Sequence, residues 1–98
     1  MVYQIVWSPT ARLDLKDLCA FIAQHESNAA AKFANNIFES VERLISFPQS
    51  GRVVPEFGDP NLREVICRPC RVVYRVKNSD QIIQIARVWY AARGIPEV

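Results

Sequence analysis

Residues 62–90 read LREVICRPCRVVYRVKNSDQIIQIARVWY, and this stretch decides the fold. Within it Val72, Tyr74 and Val76 alternate with Arg71, Val73, Arg75 and Lys77. That period of two describes a strand with one apolar face and one basic face. Arg68-Pro69 interrupts the pattern on one side and Asn78-Ser79-Asp80 on the other. Three strands are therefore expected, Leu62–Cys67, Cys70–Lys77 and Gln81–Trp89, joined as a meander. The last is nearly all apolar apart from Arg87, which suits a strand flanked on both sides.

Upstream of the meander, residues 48–61 (PQSGRVVPEFGDPN) carry three prolines and two glycines and read as an irregular loop. Loops of about 12–15 residues are uncommon in compact domains and often functional. Before it, Ala30, Phe33, Ala34, Ile37, Phe38, Val41, Leu44 and Ile45 recur at helical spacing and predict a helix over 29–47, capped by Ser27-Asn28. Lys32, Asn35, Glu39 and Arg43 form its opposite side, with Glu39 and Arg43 set as an i,i+4 pair. Ala11, Leu15, Leu18, Cys19 and Ile22 mark an earlier helix over 9–25, opened by the N-cap Ser8 and by Pro9. Leu13 lies off that stripe and is expected exposed or at a contact with another chain. Residues 3–7 (YQIVW) read as a short strand, with Trp7 in the core.

Two adjacent amphipathic helices cannot hide their shared apolar side from water against each other, so a sheet must cover it. The predicted fold is α+β: a helical hairpin packed on a small, mostly antiparallel sheet, in the order β-α-α-β-β-β. At 98 residues, half of them apolar and 22% charged, one domain spanning 1–98 is expected, and a disordered tail or a low-complexity linker is excluded. No apolar run approaches the ~20 residues that cross a bilayer. The N-terminal MVYQIVWSP has no signal-peptide pattern, so a cytoplasmic chain with no membrane partner is expected.

Charge is unevenly placed. Residues 1–51 hold four basic and five acidic residues, and 52–93 hold eight and four. Nine of the twelve basic residues are Arg, whose rigid fork suits carboxylate and phosphate, so an anionic partner is one reading and a solvated basic face the other. The cysteines are Cys19, Cys67 and Cys70. Cys67-Arg-Pro-Cys70 has redox or metal spacing, but zinc needs about four ligands and only Cys19 and His25 remain to complete a set. Two half-buried strand residues around a turn are the simpler reading, with no metal and no cofactor.

The ordered segments Ala11-Arg12-Leu13-Asp14-Leu15, Phe47-Pro48-Gln49-Ser50-Gly51-Arg52, Val54-Pro55-Glu56-Phe57-Gly58, Leu62-Arg63-Glu64-Val65, Arg71-Val72-Val73-Tyr74-Arg75-Val76 and Ile85-Ala86-Arg87-Val88-Trp89-Tyr90-Ala91-Ala92-Arg93 resemble the RelE/ParE superfamily of type II toxin–antitoxin modules, on the ParE-like side. The resemblance implies a toxin neutralised by a small acidic antitoxin. When free, it would inhibit DNA gyrase or, in the RelE-like alternative, cut messenger RNA on the ribosome. A third alternative is a non-toxic relic that still binds its antitoxin.

RNA cleavage would need a base for the 2′-OH, a cation for the phosphorane and an acid for the leaving oxygen. Glu56, Arg71 and Tyr90 are the candidates for a metal-independent ribonuclease. Many superfamily members place His where Tyr90 stands, and an unperturbed Tyr titrates near 10 rather than near neutrality. The reading therefore leans away from an enzyme. Each candidate also has a structural reading: Glu56 paired with Arg52 or Arg63, Arg71 paired internally or docking a partner, and Tyr90 as a core or rim aromatic. Arg63, Arg71, Arg75 and Arg93 are the candidate partner-binding cations. Trp89, like Trp7, is a core residue unless its ring is exposed for base stacking.

Overall fold

The structure, a computed structural model, describes residues 2–98. The chain runs β1 (Gln4–Trp7), α1 (Pro9–His25), α2 (Ser27–Glu42), β2 (Arg52–Val53), β3 (Leu62–Cys67), β4 (Cys70–Lys77) and β5 (Ile82–Tyr90). The five strands form one sheet in the order β1-β5-β4-β3-β2. β1 runs parallel to β5, and every other neighbouring pair is antiparallel. The expected α+β architecture is present, with β5 inside the sheet. The loop over 48–61 is not wholly irregular. Arg52 and Val53 lie between Gly51 and Pro55 and pair with Glu64 and Arg63, adding an edge strand that the glycine and proline count had hidden.

Ser8 caps α1 as its sequence position suggests, its Oγ accepting from the Ala11 amide at 3.0 Å. The break between the helices is shorter than expected. Glu26 alone is extended (φ −159°, ψ 115°), and it ends α1 and precedes α2, which begins at Ser27 rather than at residue 29. One residue out of the helical region reverses the chain, so Ser27 and Asn28 enter the first turn of α2. That helix ends at Glu42 and tightens into a 3-10 turn at Arg43–Ile45. This change of pitch takes Arg43 off the row of Glu39, and no ion pair joins them among the described residues.

Phe33, Ile37, Val41 and Leu44 are buried against Val72, Tyr74, Val76, Ile83, Ile85 and Val88. Leu15, Leu18, Cys19 and Ile22 of α1 are half-buried around the same core. Phe38 departs from expectation. It is 50% exposed and meets Trp7 edge-on at 5.9 Å, because its end of the stripe overhangs the sheet beside β1. Leu13 is exposed, as its position off the stripe predicts.

Two local devices set the geometry of the opposite face. The β4–β5 register shifts between Val73 and Tyr74, which pair with Arg87 and Ile85. The extra residue, Ala86, lets Ile83, Ile85 and Val88 all reach the core while Arg87 and Trp89 turn to the other side. The buried Tyr74 hydroxyl donates to the Pro48 carbonyl at 2.8 Å and accepts from the Gly51 amide at 3.0 Å. A Cβ at Gly51 would lie 2.6 Å from both the Glu64 carbonyl oxygen and that hydroxyl, so only glycine lets the loop seat here.

Candidate functional site

The basic strand face predicted for β4 is real, but its buried cation, Arg71, is spent inside the molecule. Arg71 projects from it beside Trp89, its cross-strand neighbour. Its Nε donates to Glu64 Oε1 at 2.6 Å, and its two terminal nitrogens donate to the Glu56 carboxylate at 2.9 and 2.7 Å. Glu64 is fully buried, and its second oxygen accepts from Arg52 Nε at 2.6 Å. Two acids and two arginines thus form one connected network. Glu56 therefore pairs with Arg71, not with Arg52 or Arg63. Sequence reasoning missed Glu64; its signal was an acid in step with Leu62 and Ile66 on a strand that also faced the arginines.

The network explains the titration of its members. Hydrogen bonds from the Arg71 guanidinium, helped by the backbone amide of Glu56, lower the Glu56 carboxyl from its ordinary 4.5 to about 2. Bonds to Glu56 and then Glu64 hold Arg71 above its ordinary range. A carboxylate with a depressed pKa stabilises the fold above its unfolded value and loses that contribution as pH falls through its folded value. The stabilisation from Glu56 is therefore complete above about pH 5 and disappears between about 4.5 and 2. Urea unfolding at stepped pH is expected to show wild type losing more stability than Glu56→Gln across that window. Parallel curves would remove the Glu56–Arg71 bond from the ledger.

Tyr90 does not join this pair. It lies opposite Cys70 in the ladder, where alternation along β5 groups it with Val88 rather than with Trp89, and it also lines a cavity that Arg71 borders. There it borders a small cleft with Asp14, Asp17, Leu18 and Arg93. Glu56 and Arg71 meet, while Tyr90 shares a cavity wall with Arg71 without a hydrogen bond to either.

The C-terminal segment lies over the rest of the basic face. After a 3-10 turn at Ala91–Arg93, the Gly94 carbonyl accepts from Trp89 Nε1 at 3.1 Å and the Glu97 carbonyl accepts from Arg87 at 2.9 Å. Pro96 is buried. The Trp89 ring is itself buried, with the Arg87 and Arg93 guanidiniums 4.8 and 4.2 Å from its centroid. It is a core residue, as predicted, rather than a stacking platform. Arg63 donates to the carbonyls of Pro60, Gln49 and Gly51, so it braces the loop. Of the four candidate partner-binding cations, Arg71 makes two ion pairs, and Arg63, Arg75 and Arg93 make none among the described residues.

Cys67 and Cys70 face each other across the β3–β4 turn and pack into the core. Cys67 Sγ donates to Ser40 Oγ at 3.2 Å. Burial, then the neighbouring Cys67, pushes the Cys70 thiol up to about 11. Among the described residues no group of three or more His, Cys, Asp or Glu side chains is placed to hold a metal. No described helix is long and apolar enough to cross a membrane.

The family model for the ParE toxin of the type II toxin–antitoxin system, parDE, matches residues 5–95. The chain belongs to the ParE toxin family. No curated protein matches the sequence. Among solved structures, a chain of the chromosomal ParDE TA system from P. aeruginosa is similar in fold, with a TM-score of 0.71 at 24% identity over 90% of this chain and 95% of that one. In this ParE-family toxin, then, the sheet face that carries Arg71 is braced by two internal acids and by the protein's own C-terminal segment.

Proposed function

We propose that the chain is a growth-inhibiting toxin held silent by a small acidic antitoxin, and that its free form inhibits DNA gyrase rather than cutting messenger RNA. Membership of the ParE family supports the toxin role. The observation that favours a non-nuclease mechanism is the enclosure of Arg71 between Glu56 and Glu64. A guanidinium that already satisfies two carboxylates has little charge left for a developing phosphorane. A carboxylate held at about 2 is a weak base for a 2′-OH. The half-buried Arg75 and the exposed Arg93 remain available to antitoxin carboxylates.

The test is expression of the full chain alone and together with any small acidic protein encoded beside it. Growth is expected to stop in the first case and resume in the second. During the arrest, primer extension is expected to find intact messages while a DNA-damage reporter rises. Cuts within messages that vanish in Glu56→Gln would instead establish the ribonuclease reading. Unimpaired growth at verified soluble expression would remove the toxin reading.

A further inference from the structure

β1 is an outer strand of the sheet and pairs with β5 alone, so its far side faces no strand among the described residues. Alternation decides which backbone groups that side offers. The Gln4 amide donates to the Gln81 carbonyl at 2.9 Å and the Ser8 amide to the Ile85 carbonyl at 3.0 Å, so Gln4, Val6 and Ser8 turn their backbone groups toward β5. The N–H and C=O groups of Tyr3, Ile5 and Trp7 therefore point outward, and no turn, loop or helix among the described residues bonds them. Outer strands are commonly guarded by lysine, proline or a bulge. β1 has none of these: residues 2–9, VYQIVWSP, carry no charge, the pairing with β5 is regular, and proline comes only at the start of α1. Val6 is 41% exposed, and Phe38 stands exposed against Trp7.

The side chains along β1 match a second copy of themselves. Two β1 strands set antiparallel about a two-fold axis at Ile5 place Ile5 opposite Ile5, Tyr3 opposite Trp7 and Gln4 opposite Val6. The outward backbone groups then fall in directly opposed pairs that exchange both of their bonds. On the side that packs toward the helices, the facing pairs are isoleucine with isoleucine and aromatic with aromatic. On the other side, the exposed Val6 meets the carbon stem of Gln4. The charges agree with the same axis, which brings the Trp7 end of one copy to the Tyr3 end of the other. Arg12 and Lys16 line the cavity at Trp7, and Asp80 stands in the turn beside Gln81. All three are exposed and make no ion pair among the described residues. An acidic or a basic segment would find no charge on the strand itself to meet, which favours a copy of this chain as the occupant.

We infer that β1 is a self-association edge, through which two copies pair antiparallel about Ile5 and join their five-stranded sheets into one. The inference goes beyond the toxin reading and does not depend on it. The strand is short, so the pair belongs with small, reversible interfaces and forms at micromolar rather than nanomolar concentration.

The test follows the purified full chain by sedimentation velocity from about 1 µM to about 1 mM. Wild type is expected to pass from monomer to dimer over that range. Gln4 and Val6 are exposed and lie beside the uncharged Ile82 and Gln84, so charges placed there leave the fold intact. Gln4→Glu/Val6→Glu sets like charges opposite each other on both sides of the axis and is expected to weaken the dimer at least tenfold. Gln4→Lys/Val6→Glu sets opposite charges in the same places and is expected to restore or exceed the wild-type affinity. Hydrogen exchange reads the register: the Ile5 and Trp7 amides are expected to gain protection as concentration rises, while the Val6 amide, turned toward β5, is protected throughout. A chain that stays monomeric across the range, or a dimer that ignores both double variants, overturns the inference. So does a dimer in which Ile5 and Trp7 exchange as fast as in the monomer. Protection of Ile5 and Trp7 that appears only on adding a small acidic protein encoded beside the chain overturns the chosen occupant.

Discussion

Glu64→Ala is expected to cost about 3–5 kcal/mol, the usual consequence of removing one partner from a buried, hydrogen-bonded ion pair. Glu64 is fully buried, and both of its oxygens accept from arginine at 2.6 Å. Its loss would leave the largely buried Arg71 with a charge and an Nε donor facing protein rather than water. Arg52, being mostly exposed, would lose little by itself. A domain of this size is stable by roughly 5–15 kcal/mol, so the substitution would use much of the margin. Urea unfolding measures it directly. The companion variant is Glu64→Leu/Arg71→Met, which replaces both charges with carbon of similar volume. It is expected to recover most of the loss, since an apolar pair often matches a buried ion pair. A Glu64→Ala loss below about 1 kcal/mol would mean that water reaches Arg71, and with it the case against an active phosphate clamp would weaken.

The same network shows where sequence reasoning reaches and where it stops. Periodicity gave the two helices and the three long strands because each buries one side continuously, and burial is what periodicity reports. It gave β4 its basic face for the same reason. It could not tell that Arg71 meets Glu56 and Glu64, because those contacts join residues 15 and 7 positions apart through a loop and a strand pairing. Arg63 looked like Arg71 in the sequence, yet it alternates to the helix-facing side beside Tyr74 and spends its donors on loop carbonyls. β2 was missed because it lay in a loop whose prolines and glycines masked it. Phe38 failed for a different reason: helical spacing predicts which side a residue takes, not how far the sheet beneath it extends.

Asp14→Ala is the second substitution with a large expected effect, and it concerns the other side of the sheet. β1 pairs with β5 only from Ile82 to Ile85, so the following residues of β5 would present an open edge next to the hydrophobic core. The start of α1 closes it. The Ser8 amide donates to the Ile85 carbonyl at 3.0 Å, Ser8 Oγ donates to the Ala86 carbonyl at 3.0 Å, and Asp14 Oδ2 accepts from the Val88 amide at 3.1 Å. Asp14 also takes two bonds from Arg87 at 2.8 and 3.0 Å, which raise the Arg87 pKa. Arg87 in turn holds the Glu97 carbonyl of the C-terminal segment. One carboxylate therefore ties α1, the β5 edge and, through Arg87, the covering of the basic face. Removing it would leave an amide and a mostly buried guanidinium without their acceptor, a loss of about 2–4 kcal/mol. Hydrogen exchange separates this from a general loss of stability. In Asp14→Ala the Val88 amide and the amides of Gly94, Ile95, Glu97 and Val98 are expected to exchange faster than those of β3 and β4, because only the former depend on the Asp14–Arg87 link. Uniform acceleration across the sheet would show that Asp14 supports the fold without controlling the tail. Asp14→Asn is the discriminating control: its side-chain oxygen can still accept from the Val88 amide while the charge on Arg87 is left unanswered, so edge protection should persist and tail protection should fall.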